Sequence, residues 1–310
     1  MTTEIEVSGP PDAPVLVIDT ETRHLPAEEA GAVVRHAAES ALRFAPWLVY
    51  KKTDSTLRGN IAAEFRALLD SIPHRSLVYA PSYPEMGRTV KGGRLFVGEL
   101  PVHQSAFASD PLDPVRESDI AALLRGVPVV VLDGVSNADV LAAADRITAM
   151  DPPPLAAGPA ALAGALAQCI PSLCRGEVRA PPRLTRCLVI NGSLHPASLG
   201  QVAFARTQSC FVGGWRCFDD APGSAGLDRA GQTGERVRRL IANSPVDALV
   251  VFGGDTVFGI HRALGGQPFE AWCEVLPGVP LSRCGDLFWV TKAGGFGAPD
   301  ILCSIRRALT

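Results

Sequence analysis

The sequence predicts an α/β protein of two domains, each a mostly parallel sheet flanked by helices. Three observations carry this expectation. Short apolar runs bounded by Pro, Gly, Asp or Ser alternate with longer amphipathic stretches, the rhythm of βα units rather than of a bundle or sandwich. The runs are apolar almost throughout, as strands covered on both faces must be. The alternation breaks once, at a stretch rich in Pro and Arg, and then restarts.

In the first half, Val15–Ile18, Trp47–Tyr50, Leu77–Tyr79 and Val127–Leu132 read as strands, each too short for a typical buried helix. Between the second and third, Asn60 to Ser71 reads as a helix with Ile61, Phe65, Leu68 and Leu69 on one face and Asn60 as its N-cap. Another helix is predicted over residues 159–168. Residues 171–182 end in two adjacent prolines, Pro181 and Pro182, and read as a semi-rigid connector. The predicted domains are therefore residues 1–175 and 184–310. Beyond the connector come a strand at Cys187–Ile190, a helix, a strand between Cys210 and Phe218, and a helix from about Leu227 to Ala242. A strand at Ala248–Phe252, a further helix and a strand at Leu287–Val290 complete the pattern.

Composition narrows the function classes. Of 310 residues, 47% are hydrophobic and 20% charged, with a net charge of −3. That is an ordinary globular balance, and it argues against bulk binding to nucleic acid or anionic membranes. No apolar run approaches the roughly 20 residues that span a bilayer, and the first residues lack the basic and apolar regions of a signal peptide. The eight cysteines show no C-x-x-C spacing, so they are read as reduced, mostly buried thiols in a cytoplasmic protein. The six histidines show no metal-ligand spacing and are read as surface or capping residues; no metal ligand is assigned.

Three loops in the second half share one design, an apolar strand running into a small-residue turn. They are Val189-Ile190-Asn191-Gly192-Ser193, Val251-Phe252-Gly253-Gly254-Asp255-Thr256 and Val290-Thr291-Lys292-Ala293-Gly294-Gly295-Phe296-Gly297. In an open parallel sheet ligands bind beyond the carboxyl ends of the strands, and glycines there let backbone N–H groups approach an anion. One such loop is no more than a turn needs. Three in one domain, with hydroxyls on Ser193 and Thr256 and a charge on Lys292, point to a nucleotide. None fits the Walker or the dinucleotide-binding glycine pattern, which disfavours a P-loop NTPase or an ordinary NAD domain.

The first half has a different kind of loop. Lys51-Lys52-Thr53-Asp54-Ser55-Thr56-Leu57-Arg58-Gly59-Asn60 packs three cations, a carboxylate and three hydroxyls between a strand and a helix. That is poor core material and suits a polyhydroxy carboxylate, with Arg or Lys for the carboxylate and Asp, Asn or Ser for the hydroxyls. A second candidate loop, Pro81 to Thr89, contributes Arg88.

These residues carry a resemblance. The Lys-Lys-x-Asp-Ser-Thr-Leu-Arg-Gly-Asn run with Glu64 closely resembles the signature of the four-carbon acid sugar kinases. Gly87-Arg88-Thr89, Asp110-Pro111, Pro114-Val115 and Gly158 with Ala161-Leu162-Ala163 follow in the family's order. Gly192-Ser193 with Gln201, Gly253 to Thr256, Pro277-Gly278-Val279-Pro280 and Thr291 to Gly297 resemble its nucleotide-binding half. The resemblance implies an ATP-dependent kinase acting on the terminal hydroxyl of a tetronate or 3-oxo-tetronate, with Mg²⁺ as the counter-ion of ATP. The expected acid-site residues are Lys52, Asp54, Ser55, Arg58, Gly59 and Arg88. The expected ATP-site residues are Ser193, Gly253, Gly254, Asp255, Thr256, Gly278, Lys292, Gly294, Gly295 and Gly297. Asp54 and Asp255 are the candidate catalytic carboxylates, Asp54 near the substrate hydroxyls and Asp255 near Mg²⁺ and the phosphates. Lys292 or Arg58 would neutralise charge on the transferring phosphate. Expected partners are the sugar acid and ATP, with no nucleic acid or membrane, and a homodimer is allowed for.

Two departures from the family pattern stand out. Members begin with a strand ending in Asp-Asp-x-Thr-Gly-Ala, which this sequence does not carry; it starts near where Asp19-Thr20-Glu21-Thr22-Arg23 resembles a later segment. The stretch between Ser193 and Gly253 is also short. A chain shortened at its N-terminus, a catalytically impaired nucleotide-binding paralogue and an ATP-independent sugar-acid enzyme therefore stay open beside the kinase.

Overall fold

A computed structural model describes residues 14–110, 113–170, 179–219 and 229–310. The chain divides into two compact units, Met1–Gly176 and Glu177–Thr310.

The first unit runs α1 (Ala27–Leu42), β1 (Tyr50–Lys52), α2 (Ile61–Ser71), β2 (Leu77–Tyr79), β3 (Arg88–Lys91), β4 (Arg94–Val97), β5 (Leu100–Pro101), α3 (Ile120–Leu123), β6 (Val129–Val131), α4 (Asn137–Thr148), β7 (Leu155–Gly158) and α5 (Ala160–Cys169). Strands β1, β7, β2 and β6 lie side by side in that order, all parallel, while β3, β4 and β5 form a small antiparallel sheet. Alternation along β2 explains the layering, because successive strand residues face opposite ways. Leu77 and Tyr79 join Val34 of α1 and Phe65 and Leu68 of α2 on one face. Val78 joins Val140 and Ile147 of α4 and Leu162 and Leu166 of α5 on the other.

The second unit runs β8 (Cys187–Asn191), α6 (Pro196–Thr207), β9 (Trp215–Asp219), α7 (Arg229–Asn243), β10 (Ala248–Phe252), α8 (Gly254–Ala263), β11 (Glu270–Leu276), β12 (Val279–Cys284), β13 (Leu287–Lys292) and α9 (Ile301–Leu309). One sheet holds all six strands in the order β11-β12-β13-β10-β8-β9. Strands β13, β10, β8 and β9 are parallel, and β11 and β12 add an antiparallel hairpin at the edge. Val189, Val250 and Val290 pack against α6 and α9 through Val202, Leu302 and Ile305. Leu188, Leu249, Val251 and Trp289 pack against α7 and α8 through Val237 and Ile260. Both units are thus mostly parallel sheets flanked by helices.

Several predicted elements need correction. Val15–Ile18 is not a strand: no strand among the described residues pairs with it, and Val17 is 84% exposed. Strand composition without a hydrogen-bonding neighbour leaves the backbone to water. The strand expected at Trp47–Tyr50 starts instead at Tyr50 and takes in Lys51 and Lys52. Two lysines are tolerated there because β1 is an edge strand and Lys51 meets the buried Glu64 of α2 at 2.7 Å. Asn60 precedes α2 as expected but does not cap it; its amide donates to the carbonyls of Thr22 and Leu25. The strand expected between Cys210 and Phe218 begins only at Trp215, and the β11–β12 hairpin was not foreseen. The start of the helix expected from Leu227 lies outside the described residues, as does most of the connector. The connector's end is tied to β11, with Arg179 paired to Glu270 and lying over Trp272. Among the cysteines expected to be free, Cys210 and Cys303 form a disulfide between the end of α6 and α9, and Cys174 lies outside the described residues. No helix among the described residues is long and apolar enough to cross a membrane.

Candidate functional site

In the first unit the loop after β1 is organised around Asp54. Its Oδ1 accepts from the Thr56 N–H (2.8 Å), the Thr56 hydroxyl (2.5 Å) and Arg58 Nε (3.2 Å). Its Oδ2 accepts from Arg58 (2.9 Å) and Arg23 (3.4 Å). Burial alone would push this carboxyl up, but the hydrogen bonds from Arg58 and Thr56 outweigh it and hold the pKa at about 2. A carboxylate with five donors and so low a pKa is a weak proton acceptor. Asp54 therefore orients Arg58 and Thr56.

Arg58 is locked from three sides. It grips Asp54 through two nitrogens, reaches Asp110 at 2.9 Å with a third, and lies over the Phe107 ring at 5.3 Å. Arg88, from β3, covers the same ring at 5.6 Å, so Phe107 gathers two guanidinium groups that are 30 residues apart in sequence. Lys52 is exposed beside them. Its pKa is lowered first by partial burial and further by Arg23, Lys51 and Arg58, against the pull of Asp54. Ser55 is half-buried in the same loop, and Gly59 packs against the Arg23 side chain. Arg23 and Arg58 also line an open cleft of about 590 Å³, together with Gly59, Arg116 and the carboxylates of Asp113 and Glu117. The structure brings together Asp54, Arg58 and Arg88 as expected and adds Phe107, Asp110 and Arg23. Asp110 had a sequence signal only in the family pattern. Phe107 sits in a short 3₁₀ turn and had none.

In the second unit the three glycine loops leave adjacent parallel strands whose ends are in register: Asn191, Phe252 and Lys292 stand side by side. The loops converge closely enough that glycine is required. A Cβ on Gly192 would overlap the Thr256 side chain, and one on Gly294 would overlap the Ser193 hydroxyl. Gly253 and Gly254 open α8, with the exposed Asp255 in its first turn.

Lys292 is not where the sequence placed it. It is 3% exposed, and its amine donates to the carbonyls of Ala293 (2.6 Å), Gly294 (3.2 Å) and Phe296 (2.8 Å) while lying over the Phe252 ring at 4.5 Å. All three ammonium donors are occupied, and burial pushes the pKa down to about 8. Two residues of α6 work with it from the same side. Ser198 donates to the Gly294 carbonyl, and Gln201 donates to those of Phe296, Gly297 and Ala298. In a trans peptide C=O and N–H point in opposite directions. With the carbonyls of residues 293, 294, 296 and 297 held inward, the N–H groups of Gly294, Gly295, Gly297 and Ala298 turn outward. A row of N–H groups facing one way is suited to an anion. Lys292 builds this cradle from beneath and does not line it. Gly278 lies in the β11–β12 hairpin turn, and a Cβ there would meet the Phe296 ring at 2.7 Å; it supports the loop from outside.

The residues present fit a phosphate-bearing nucleotide by the backbone N–H groups of glycine loops that pack too closely on Thr256, Ser193 and Ile301 to carry side chains. No group of three or more His, Cys, Asp and Glu suited to a metal comes together among the described residues. Residues 2–126 match the sugar-binding N-terminal domain family and residues 220–302 the nucleotide-binding C-terminal domain family. A D-threonate kinase of Bordetella bronchiseptica is 31% identical over 358 residues, covering 96% of this chain and 86% of that one. The chain belongs to the four-carbon acid sugar kinase family. Among other members, a D-threonate kinase of Salmonella typhimurium is 28% identical (94% and 88% covered), and a 3-oxo-tetronate kinase of Burkholderia multivorans 26% (96% and 88% covered). Crystal structures of a Salmonella typhimurium protein (TM-score 0.80, covering 94% and 88%) and a Haemophilus influenzae protein (0.76, covering 94% and 89%), each 19% identical, share the fold. Within this family, the charged loop lies in the sugar-binding region and the second and third glycine loops in the nucleotide-binding region.

Proposed function

We propose that the protein is an ATP-dependent kinase that phosphorylates the terminal hydroxyl of a four-carbon sugar acid, a tetronate or 3-oxo-tetronate. The observation that supports it most is the registered row of glycine loops at the ends of β8, β10 and β13, with one loop held open by three buried donors. ATP, when bound, supplies the phosphoryl group and its Mg²⁺.

The residues of the chain do the positioning. Arg58, fixed by Asp54, Asp110 and Phe107, holds its positive charge in place for the acid's carboxylate, and Arg88 and Lys52 add charge beside it. Ser55 contributes a hydroxyl for the substrate's own hydroxyls, while the buried Thr56 holds Asp54. Ser193, Thr256 and the outward N–H groups of the glycine loops hold phosphate oxygens, the kind of positioning and charge stabilisation that phosphoryl transfer mainly requires. Asp255, the exposed carboxylate in the first turn of α8, serves the counter-ion. Asp54 stays ionised and keeps Arg58 in place.

The test is ADP release by the purified chain over D-threonate, D-erythronate and 3-oxo-tetronate, with ATP binding measured separately by calorimetry. Turnover on one or more acids is expected. ATP binding without turnover on any of them would defeat the kinase reading.

A further inference from the structure

We propose that His195 is a direct phosphate ligand of the nucleotide site, donating from Nε2 to an oxygen of the terminal phosphates. The inference rests on the nucleotide reading above and assigns a residue whose spacing in the sequence marks it only as a surface or capping histidine.

His195 precedes Pro196 at the N-cap of α6, and its Nδ1 accepts from the Ala197 N–H at 3.2 Å. A ring nitrogen that accepts an N–H carries no proton, so the neutral imidazole has its hydrogen on Nε2. Ser, Asp or Asn would satisfy the same cap. Unlike Ser or Asp in that place, histidine offers a second donor on the far side of its ring, further from the backbone than the amide of Asn reaches.

That donor is aimed at the cradle. A Cβ on Gly295 would lie 3.0 Å from His195 Nε2 and 3.2 Å from Cε1, while a Cβ on Gly294 would lie 3.6 Å from His195 Cβ. The ring edge therefore rests over the Gly294-Gly295 backbone, whose N–H groups face outward because Lys292 and Ser198 hold the Ala293 and Gly294 carbonyls on the inner side. The ring is exposed, and Nε2 has no partner among the described residues. A phosphate oxygen seated on the Gly294 and Gly295 N–H groups meets the imidazole N–H at the rim. Gly295 admits the ring where any side chain would push it away. His195 is thus a side-chain donor added to a site otherwise made of backbone, Ser193 and Thr256.

The experiment uses His195→Asn, which keeps a good cap and removes Nε2, and His195→Gln, whose longer amide reaches further towards the rim. Binding of ATP, ADP and adenosine is measured by calorimetry, with thermal melting as the check on folding. His195→Asn is expected to melt with wild type and to bind ATP about tenfold more weakly. ADP should be affected less and adenosine not at all, the KM for the acid should be unchanged, and His195→Gln should recover part of the loss. An unchanged ATP affinity in His195→Asn, or an equal loss for adenosine, overturns the assignment. A wild-type chain that binds no ATP removes both this inference and the nucleotide reading, whereas wild-type binding with an unaffected variant removes this one alone.

Discussion

The two units prepare for an anion in opposite ways. In the first, charged side chains do the gripping: Arg58, Arg88, Lys52 and Arg23 crowd around Asp54 and Asp110, and the cluster is held by ion pairs and the Phe107 ring. In the second, the backbone does the gripping, and the one charged side chain in the glycine loop, Lys292, is buried beneath it. On the proposed function, the difference follows from the ligand each site would take. A small hydroxy acid presents a planar carboxylate that a guanidinium matches in two bonds. A chain of phosphates presents many oxygens, which a row of N–H groups can follow without crowding.

If that contrast holds, its largest consequence is local to the first unit. Arg58→Ala leaves the buried Asp54 and the nearby Asp110 without their shared cation. Breaking such a pair is expected to cost about 2–4 kcal/mol of stability, read by urea denaturation. Turnover on the acid should fall roughly 10²–10³-fold in kcat/KM, while ATP affinity stays at the wild-type value. A parallel loss of ATP binding would break the separation between the sites. Arg58→Lys keeps the charge but not the fork, and should recover stability better than activity.

Acid titration sharpens the same half. The Asp54 pKa, about 2 in the folded protein against a usual 3.8, is depressed. Its stabilisation is therefore complete above about pH 4 and is lost as pH falls towards 2, worth roughly 2–3 kcal/mol over that window. Asp54→Asn should flatten the slope of unfolding free energy between pH 4 and 2. An unchanged slope would mean that the carboxylate is not held by Arg58 and Thr56 in solution.

In the second unit the test is Lys292→Met, which keeps length and bulk over Phe252 but removes three donors. The carbonyls of Ala293, Gly294 and Phe296 are then free to turn, and the outward N–H groups with them. ATP affinity should fall about 10- to 100-fold with the acid's KM unchanged. Lys292→Arg separates the two roles left for this charge. A phosphate ligand would tolerate the longer cation, whereas a buried clasp has no room for the guanidinium.

How much of this was legible depends on which physical signal each feature leaves. The Lys51–Asn60 loop was readable because ten such residues cannot be core, and the glycine loops because they interrupt apolar strands. Lys292 misled, since a lysine beside glycines suggests a phosphate donor. Alternation along β13 nevertheless puts residue 292 on the same inward face as Val290, and that was the available clue. Pro277-Gly278 between two apolar runs is also a turn signal, and the β11–β12 hairpin that it joins was not read from it. Cys210 and Cys303 are 93 residues apart, and their pairing depends on α6 and α9 packing together, which no local pattern reveals. Phe107 and His195 escaped for a related reason. Each works through residues distant in sequence that only the folded loops bring near.

The smallest expected effect concerns a pair of valines that the sequence could not tell apart. Val17 and Val189 both sit in short apolar runs with strand composition. In the structure Val17 is 84% exposed with no pairing strand, while Val189 is fully buried between β10 and β9. Replacing a buried methyl by a hydroxyl that finds no partner costs about 1–3 kcal/mol, whereas an exposed change of this kind stays within about 0.5 kcal/mol. Val189→Thr should therefore lower the urea midpoint and Val17→Thr should leave it in place. Equal destabilisation by the two would show that Val15–Ile18 is a paired strand after all.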